Sequence, residues 1–324
     1  MNDFFEYARA DGSVPAPARD RIDVAVLDMN HSWPNVGHDS IIRAVREAAE
    51  ECREPLIGAA VKVRVVSFDV RRALQVPAID RFRLFVGTGG PGHLDPRLND
   101  GVAEWSQGIS ESAAWEAPLF RLFDDVIGDQ SAALVAVCHS FGLLCRWSHA
   151  ARPVLRDRKS SGMPTNRLTD SGVAHPWFGE FAKRLPDGRH FRVIDNRLFD
   201  LVLDGRSDER FIAFEDEQSD GVTMLELARG IDGFPRVLGA NHHPEIVDRE
   251  HILTVLDRKR NHGEVTDSWY RERAATMIDL FQGELERQSQ LTSEYTLLGP
   301  LRHYVGRLVA ERCGVSECGA PAPL

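Results

Sequence analysis

The segment AALVAVCHSFGLLC, residues 132–145, changes its hydrophobic pattern at Cys138. Before the cysteine it is a continuous apolar run typical of a buried strand, and after it the apolar residues follow a helical spacing. A strand that turns directly into a helix holds the residue at the turn clear of the sheet edge and beside the first helix amides. This position suits a nucleophile, because the positive helix end lowers the pKa of a thiol. The alternative is an inert buried cysteine.

Three further apolar runs, residues 22–28, 61–70 and 82–87, are bounded by turn residues and predict strands. Between the first two, residues 40–51 place apolar side chains at helical spacing behind Ser40, a candidate N-cap. Nearly continuous apolar strands that alternate with helices are typical of a parallel sheet buried on both faces. We therefore predict an α/β fold, with a mostly parallel sheet sandwiched by helices.

The rest of the sequence suggests three parts: an N-terminal extension (1–20), an α/β domain (21–257) and a C-terminal helical appendage without evident chemistry (258–324). Residues 151–176 predict a long loop, and we expect their basic run, residues 152–159, to be solvated rather than to bind phosphate. The apolar stripes of the appendage should either pack on the domain or form a docking face for a second copy or a partner. Later strands are predicted near residues 190–195, 211–216, 222–230 and 236–246, with a short helix at 176–185.

Composition narrows the function classes. The chain has 324 residues and a formal net charge of -10, without a basic stripe, which argues against binding nucleic acid through its phosphates. No run approaches the roughly 18 apolar residues of a membrane helix, and the N-terminus does not resemble a secretion signal. The five scattered cysteines suit reduced thiols. We expect a cytoplasmic protein that binds neither nucleic acid nor membrane.

Two other segments bear on the role of Cys138. The turn GTGGPG, residues 87–92, matches a dinucleotide-binding pattern, but the residues after it do not predict the helix that such a site needs. A turn whose backbone N–H groups stabilise an oxyanion needs no such helix and therefore explains these residues better. In GANHHPEI, residues 239–246, strand alternation would place His243 and Glu245 on one side, where the carboxylate could orient the imidazole for a distant nucleophile. Adjacent histidines could instead bind metal, yet the spacing matches no closed zinc pattern. We predict no metal and no cofactor.

In chain order, TGGPG, VCHSFGLL and ANHHPE resemble the three motifs of the class I glutamine amidotransferase superfamily, over residues 21–250. The resemblance implies the flavodoxin-like α/β fold of that superfamily. It also implies that Cys138 is the nucleophile, that His243 is the general base and acid, and that Glu245 orients the histidine.

The same resemblance implies that backbone N–H groups of Gly90 and His139 form the oxyanion hole. In the superfamily the cysteine attacks the side-chain amide of glutamine, and water hydrolyses the resulting glutamyl thioester. The ammonia normally passes to a synthetase. Because the chain lacks a phosphate-binding G-x-x-x-x-G-K-[ST] loop, such an acceptor site would lie on another chain.

Four positions depart from the superfamily pattern: Ala136 and Ser140 replace glycines around the nucleophile, Gly142 replaces a glutamine, and Asn241 replaces another. Small residues still permit a tight turn, whereas the loss of the first glutamine weakens the case for glutamine as substrate. The sequence therefore predicts hydrolysis of glutamine or a related amide that supplies ammonia to a synthetase subunit. Alternatives are an acyl transferase or hydrolase acting on another substrate, and a catalytically degenerate binding subunit. The sequence also leaves open whether the protein forms a homo-oligomer.

Overall fold

A computed structural model describes residues 4–32, 36–203, 205, 208, 210–216, 221–316 and 318. Its strands are β1 (Phe5–Arg9), β2 (Arg21–Asp28), β3 (Lys62–Asp69), β4 (Leu84–Gly87), β5 (Ala133–Val137), β6 (Ala151–Leu155), β7 (Thr165–Leu168), β8 (His190–Arg192), β9 (Phe199–Leu203), β10 (Phe211–Glu215), β11 (Val222–Arg229) and β12 (Pro235–Ala240). Its α-helices are α1 (Gly37–Glu50), α2 (Arg53–Gly58), α3 (Glu116–Gly128), α4 (His139–Trp147), α5 (Asp170–Ala174), α6 (Phe178–Arg184), α7 (Arg249–Asn261), α8 (Asp267–Leu280), α9 (Gly283–Ser293) and α10 (Gly299–Cys313).

Ten strands form one sheet in the order β1-β3-β2-β4-β5-β12-β11-β10-β7-β8. The pairings from β1 through β12 are parallel, and those from β12 to β8 are antiparallel. A separate antiparallel pair joins β6 to β9. The predicted α/β class, with a mostly parallel sheet between helices, is confirmed.

Alternation along β2 explains why both faces of the sheet are covered. Val24 and Val26 face a buried cluster with α1 and α10, whereas Ala25 and Leu27 face another cluster with α3 and α4. Because successive side chains of a strand point to opposite faces, an all-apolar strand needs a helical layer on each side. The four apolar runs therefore become the adjacent central strands β2 to β5.

Several segments differ from the prediction. The N-terminal extension contributes β1, which pairs parallel with β3. Helix α1 begins at Gly37, and Ser40 lies inside its first turn, where its N–H donates to the Val36 carbonyl instead of capping the helix. The predicted loop 151–176 contains β6, β7 and α5, and β9 was not predicted. These short elements carry polar residues that hide strand periodicity.

The C-terminal helices pack against their own chain. In α10, Leu301, Tyr304 and Val305 are buried in one cluster with Ile41 and Val45 of α1. Helices α7 and α8 share a separate buried cluster. The apolar stripe of α10 therefore covers the sheet layer, which supports the packing alternative, while the domain boundaries stay a prediction. No described helix is both long and apolar enough to cross a membrane.

Candidate active site

Cys138 lies at the sharp turn between β5 and α4. Its backbone has φ 49° and ψ −103°, outside the regions that non-glycine residues favour, and such strain costs about 1–3 kcal/mol. Its N–H donates to the Ala240 carbonyl at 2.8 Å, which fixes the turn against the end of β12. The Cys138 residue is partly exposed, whereas Cys145 in the same helix is fully buried. The strand-to-helix turn thus presents the first cysteine and not the second.

His243 and Glu245 follow β12, beside the Cys138 turn. Nδ1 of His243 lies 2.8 Å from Oε1 of Glu245, whose side chain is fully buried. The ring also lies near Cys138, since a Cβ built on Gly89 would stand 2.9 Å from Cε1 of His243 and 3.7 Å from Sγ of Cys138. The His243 backbone N–H donates to the Ile194 carbonyl at 2.8 Å, which fixes the loop. The structure therefore places the three predicted side chains near one another, with a hydrogen bond between His243 and Glu245.

The surroundings of His243 favour its charged form. Burial disfavours the imidazolium, but the carboxylate of Glu245 and the sulfur of Cys138 outweigh this effect, so the pKa of His243 is raised well above its usual value. A charged imidazolium beside the sulfur stabilises a thiolate by charge pairing. The arrangement can therefore hold an activated nucleophile.

His242 has a different environment. It is buried, and its ring packs edge-on against Phe191 with centroids 5.9 Å apart. Burial, together with the nearby positive charges of His243 and Arg197, lowers the pKa of His242 to about 3. It is not among the residues that line the Cys138 cavity. The two adjacent histidines thus have separate surroundings, and of the two only His243 lines the cavity with Cys138.

The glycine turn after β4 lies against the Cys138 elbow. A Cβ on Gly90 would stand 2.2 Å from the carbonyl oxygen of Met29, so this close approach requires glycine. The buried side chain of His139 lies near the Gly90 backbone. Its pKa is lowered well below the usual value, by burial first and then by the nearby Arg71 charge. The two predicted oxyanion residues are therefore neighbours, and both line the cavity of Cys138.

Arg71, which the sequence reasoning did not identify, holds the glycine turn. Its side chain is fully buried and donates to the carbonyls of Met29 at 2.9 Å and Pro91 at 2.6 Å. It also forms a buried ion pair with Glu111 at 2.6 Å. These contacts tie the glycine turn at Pro91 to Met29, just after β2, whose carbonyl packs against Gly90. An arginine just after a strand carries no motif that would have revealed this role.

Gly142 stands where the superfamily pattern has a glutamine, and Leu94 packs against it. A Cβ on Gly142 would come within 2.5 Å of a methyl carbon of Leu94. Leu94 therefore occupies the space where a longer side chain at position 142 would begin. Glycine in place of glutamine at position 142 therefore leaves no gap, because Leu94 fills the space and forms part of the apolar wall of the cavity.

Cys138 and His243 line a cavity of about 260 Å³. Glu245 lies behind His243 and does not line it. Other walls come from residues 159–162, from residues 194–199, and from one face of α8 (Trp269, Arg273, Thr276, Met277 and Leu280). The appendage, in which the sequence shows no evident chemistry, therefore supplies one wall of this cavity, and Lys159 of the basic run borders it.

No group of three or more histidine, cysteine, aspartate or glutamate side chains is arranged to hold a metal ion in the described ranges. The charged side chains that line the cavity besides His243 are Lys159, Asp195, Arg197 and Arg273. The cavity thus brings together a thiol, an imidazole and the backbone of a glycine turn.

The fold is an α/β sandwich with a mostly parallel sheet, and Cys138, at a strand-to-helix turn, lines one cavity together with His243. No protein-family model matches the chain. No curated protein matches it. Among solved structures it is similar to a glutamine amidotransferase from Thermotoga maritima, at 12% identity over 88% of this chain and 98% of that chain, with a TM-score of 0.49. It is also similar to a glutamine amidotransferase from Methylobacillus flagellatus, at 12% identity over 93% and 98% of the two chains, with a TM-score of 0.44. At such identities the likeness concerns the fold alone.

Proposed function

We propose that this protein hydrolyses the side-chain amide of glutamine, or of a related compound, through a thioester on Cys138. One observation carries the proposal: His243, held by buried Glu245 at 2.8 Å, lines one cavity with a cysteine at a strained turn, and the two side chains lie near the same glycine, Gly89. Nucleophile, base and orienting carboxylate in this order are the requirement for acyl transfer.

In the first half of the reaction the Cys138 thiolate attacks the amide carbon, with its proton already on His243. A C–S bond forms, and the carbonyl electron pair moves to the oxygen. Backbone N–H groups of Gly90 and His139 would stabilise that oxyanion. When the intermediate collapses, the C–N bond breaks and His243 donates its proton to the nitrogen, which leaves as ammonia.

In the second half, water attacks the thioester carbon while neutral His243 accepts a proton from the water. The C–S bond breaks and the thiolate returns to its place beside the imidazolium. The sum is amide plus water giving carboxylic acid plus ammonia. Glu245 acts through His243 throughout, because it holds the ring and stabilises its charge.

The ammonia would serve a synthetase subunit. This chain carries no phosphate-binding loop of the Walker type, so an acceptor that ATP activates would be bound by the partner. A second candidate function is acyl transfer or hydrolysis on a substrate other than glutamine. The packing of Leu94 over Gly142 favours that candidate, because the wall differs from the superfamily pattern at this point.

Ammonia release from glutamine and from a panel of other ω-amides tests the proposal, with esters and thioesters of the same acids in parallel. Wild type should release ammonia from at least one amide, Cys138→Ala should release none, and Cys145→Ala should match wild type. Turnover of esters or thioesters alone would support the second candidate. Equal loss in both cysteine variants, with both folded, would contradict the role of Cys138.

A further inference from the structure

Helix α8 contributes a defined set of side chains to the cavity that Cys138 also lines. The cavity-lining positions of this helix are Trp269, Arg273, Thr276, Met277 and Leu280, which recur at spacings of four, three, one and three residues. This spacing is one face of a helix. An ordered face of the appendage therefore forms a wall of the cavity, and Arg273 brings a positive charge to it.

A second cation borders the same cavity. Lys159 lies in the segment between β6 and β7 and lines the space with Cys138 and Arg273. Lys159 is exposed to solvent. Partial burial of its side chain lowers its pKa, Arg273 lowers it further by repulsion, and the charge on Cys138 opposes both. Lys159 is therefore close enough to both groups for their charges to act on it.

Neither cation has a carboxylate partner within the described part of the chain. No ion pair is formed there by Lys159 or Arg273, and Arg273 lies over the ring of Trp269 at 5.6 Å from its centre. The other two lining charges already have partners, since Arg197 pairs with Asp195 at 3.4 Å and also with Asp200 and Glu215. The cavity wall therefore carries two positive charges that no described side chain neutralises.

We propose that Lys159 and Arg273 bind a carboxylate on the acyl part of the substrate while Cys138 attacks its amide. The inference rests on the proposed function and adds to it two residues, one on α8 and one between β6 and β7, that select a substrate by its anionic acyl end. A planar carboxylate fits the guanidinium of Arg273, and an ammonium adds a flexible donor. Apolar neighbours such as Leu94 and Met277 would contact the chain between the two ends.

Two alkylating reagents test this selection without knowledge of the natural substrate. Iodoacetate and iodoacetamide react alike: the Cys138 sulfur forms a C–S bond and iodide leaves. They differ in carrying a carboxylate or a neutral amide. The rate at which each reagent alkylates Cys138 is measured by peptide mass. Because His243 also attracts iodoacetate, the ratio of the two alkylation rates is compared among variants rather than the iodoacetate rate alone.

The variants Lys159→Met and Arg273→Met should each lower the iodoacetate to iodoacetamide ratio by about twofold to fivefold, as expected for one partly solvated ion pair. Arg273→Lys should keep most of the wild-type ratio, because lysine keeps the positive charge. The matched controls Arg158→Met and Arg271→Met remove exposed charges next to Lys159 and on the same helix as Arg273, outside the cavity lining, and should leave the ratio unchanged.

An unchanged ratio in Lys159→Met and Arg273→Met, with Cys138 still reactive, would overturn the carboxylate site and leave the proposed hydrolysis standing. Protection of Cys138 by inorganic phosphate but not by acetate would also overturn the assignment to a carboxylate. A folded wild type whose Cys138 reacts with neither reagent would overturn the proposed function itself, and this site with it.

Discussion

The hydroxyl of Ser140 donates a hydrogen bond of 2.7 Å to the carbonyl of Thr88. This contact joins the first turn of α4 to the glycine turn after β4, the two backbone segments that would form the oxyanion hole. The Ser140 backbone N–H donates to the same carbonyl at 3.3 Å. Serine in place of the superfamily glycine therefore adds a bond between the two halves of the site.

Gly87→Ala should disrupt this junction. A Cβ at position 87 would lie 2.5 Å from Oγ and 2.6 Å from Cβ of Ser140, so the elbow must shift. We expect a loss of about 1–3 kcal/mol in the free energy of unfolding, measured in urea, and a large loss of turnover. The double variant Gly87→Ala, Ser140→Gly removes both close contacts. It should recover most of the lost stability and most of the lost turnover. A double variant as impaired as the single one would show that the clash is not the cause.

Glu245→Gln should change how stability depends on pH. Because the pKa of His243 is raised in the folded state, the charged ring contributes stability fully below about pH 6.5, the value of an unfolded histidine, and loses it as the pH rises through the folded value. In Glu245→Gln the imidazole of His243 stays buried but loses the neighbouring carboxylate that raises its pKa. The stability gap between the two proteins should shrink with rising pH, by about 1.4 kcal/mol for each unit of pKa difference. Urea unfolding across the pH range checks this, and a gap that does not vary with pH would contradict it.

His243→Ala and His242→Ala should fail in different ways. His243 lines the cavity beside Cys138, so its loss should lower the acylation rate of the folded fraction by about 10²- to 10⁴-fold. Its loss should also lower the melting temperature, because it leaves the buried carboxylate of Glu245 unpaired. His242 is a buried neutral ring against Phe191, so its loss should lower the melting temperature and leave the acylation rate of the folded fraction nearly unchanged. A larger loss of acylation in His242→Ala would reverse the assignment.

Removing the C-terminal helices should destabilise the α/β layer. Leu301 and Val305 are fully buried against α1, and a buried leucine replaced by alanine typically costs about 2–5 kcal/mol. A chain that ends at residue 261, after α7, should be insoluble or unfolded by circular dichroism. A control that ends at residue 316 keeps α10 and should fold as wild type. A stable, soluble short chain would contradict the packing seen here.

The sequence predicted those features that local patterns encode. The apolar runs gave β2 to β5, and the strand-to-helix change at Cys138 gave the elbow, because buried parallel strands are apolar on both faces. His243 and Glu245 were found because their chemistry and spacing stand together in the chain. Their contact with Cys138, about a hundred residues away, was expected only through the resemblance.

Residues that act through distant contacts were missed. Arg71 holds the glycine turn by bonds to backbone carbonyls, which any sequence would offer, so no pattern marks it. Arg273 and Thr276 break the apolar stripe of α8 on the face that lines the cavity, and a search for apolar periodicity passes over such a face. Lys159 stands in a basic run that resembles a solvated loop. Only tertiary packing brings these cations beside the sulfur.

Covalent capture of Cys138 by a diazo-ketone analogue of glutamine is the most direct test of the central claim, that this cysteine attacks an amide carbonyl. Intact mass and peptide mapping should show one adduct on Cys138, formed in wild type and in Cys145→Ala at equal rates. Cys138→Ala should form none, and His243→Ala should form it much more slowly. Labelling of Cys138→Ala at the wild-type rate, or a folded wild type that the analogue leaves unmodified, would contradict the account.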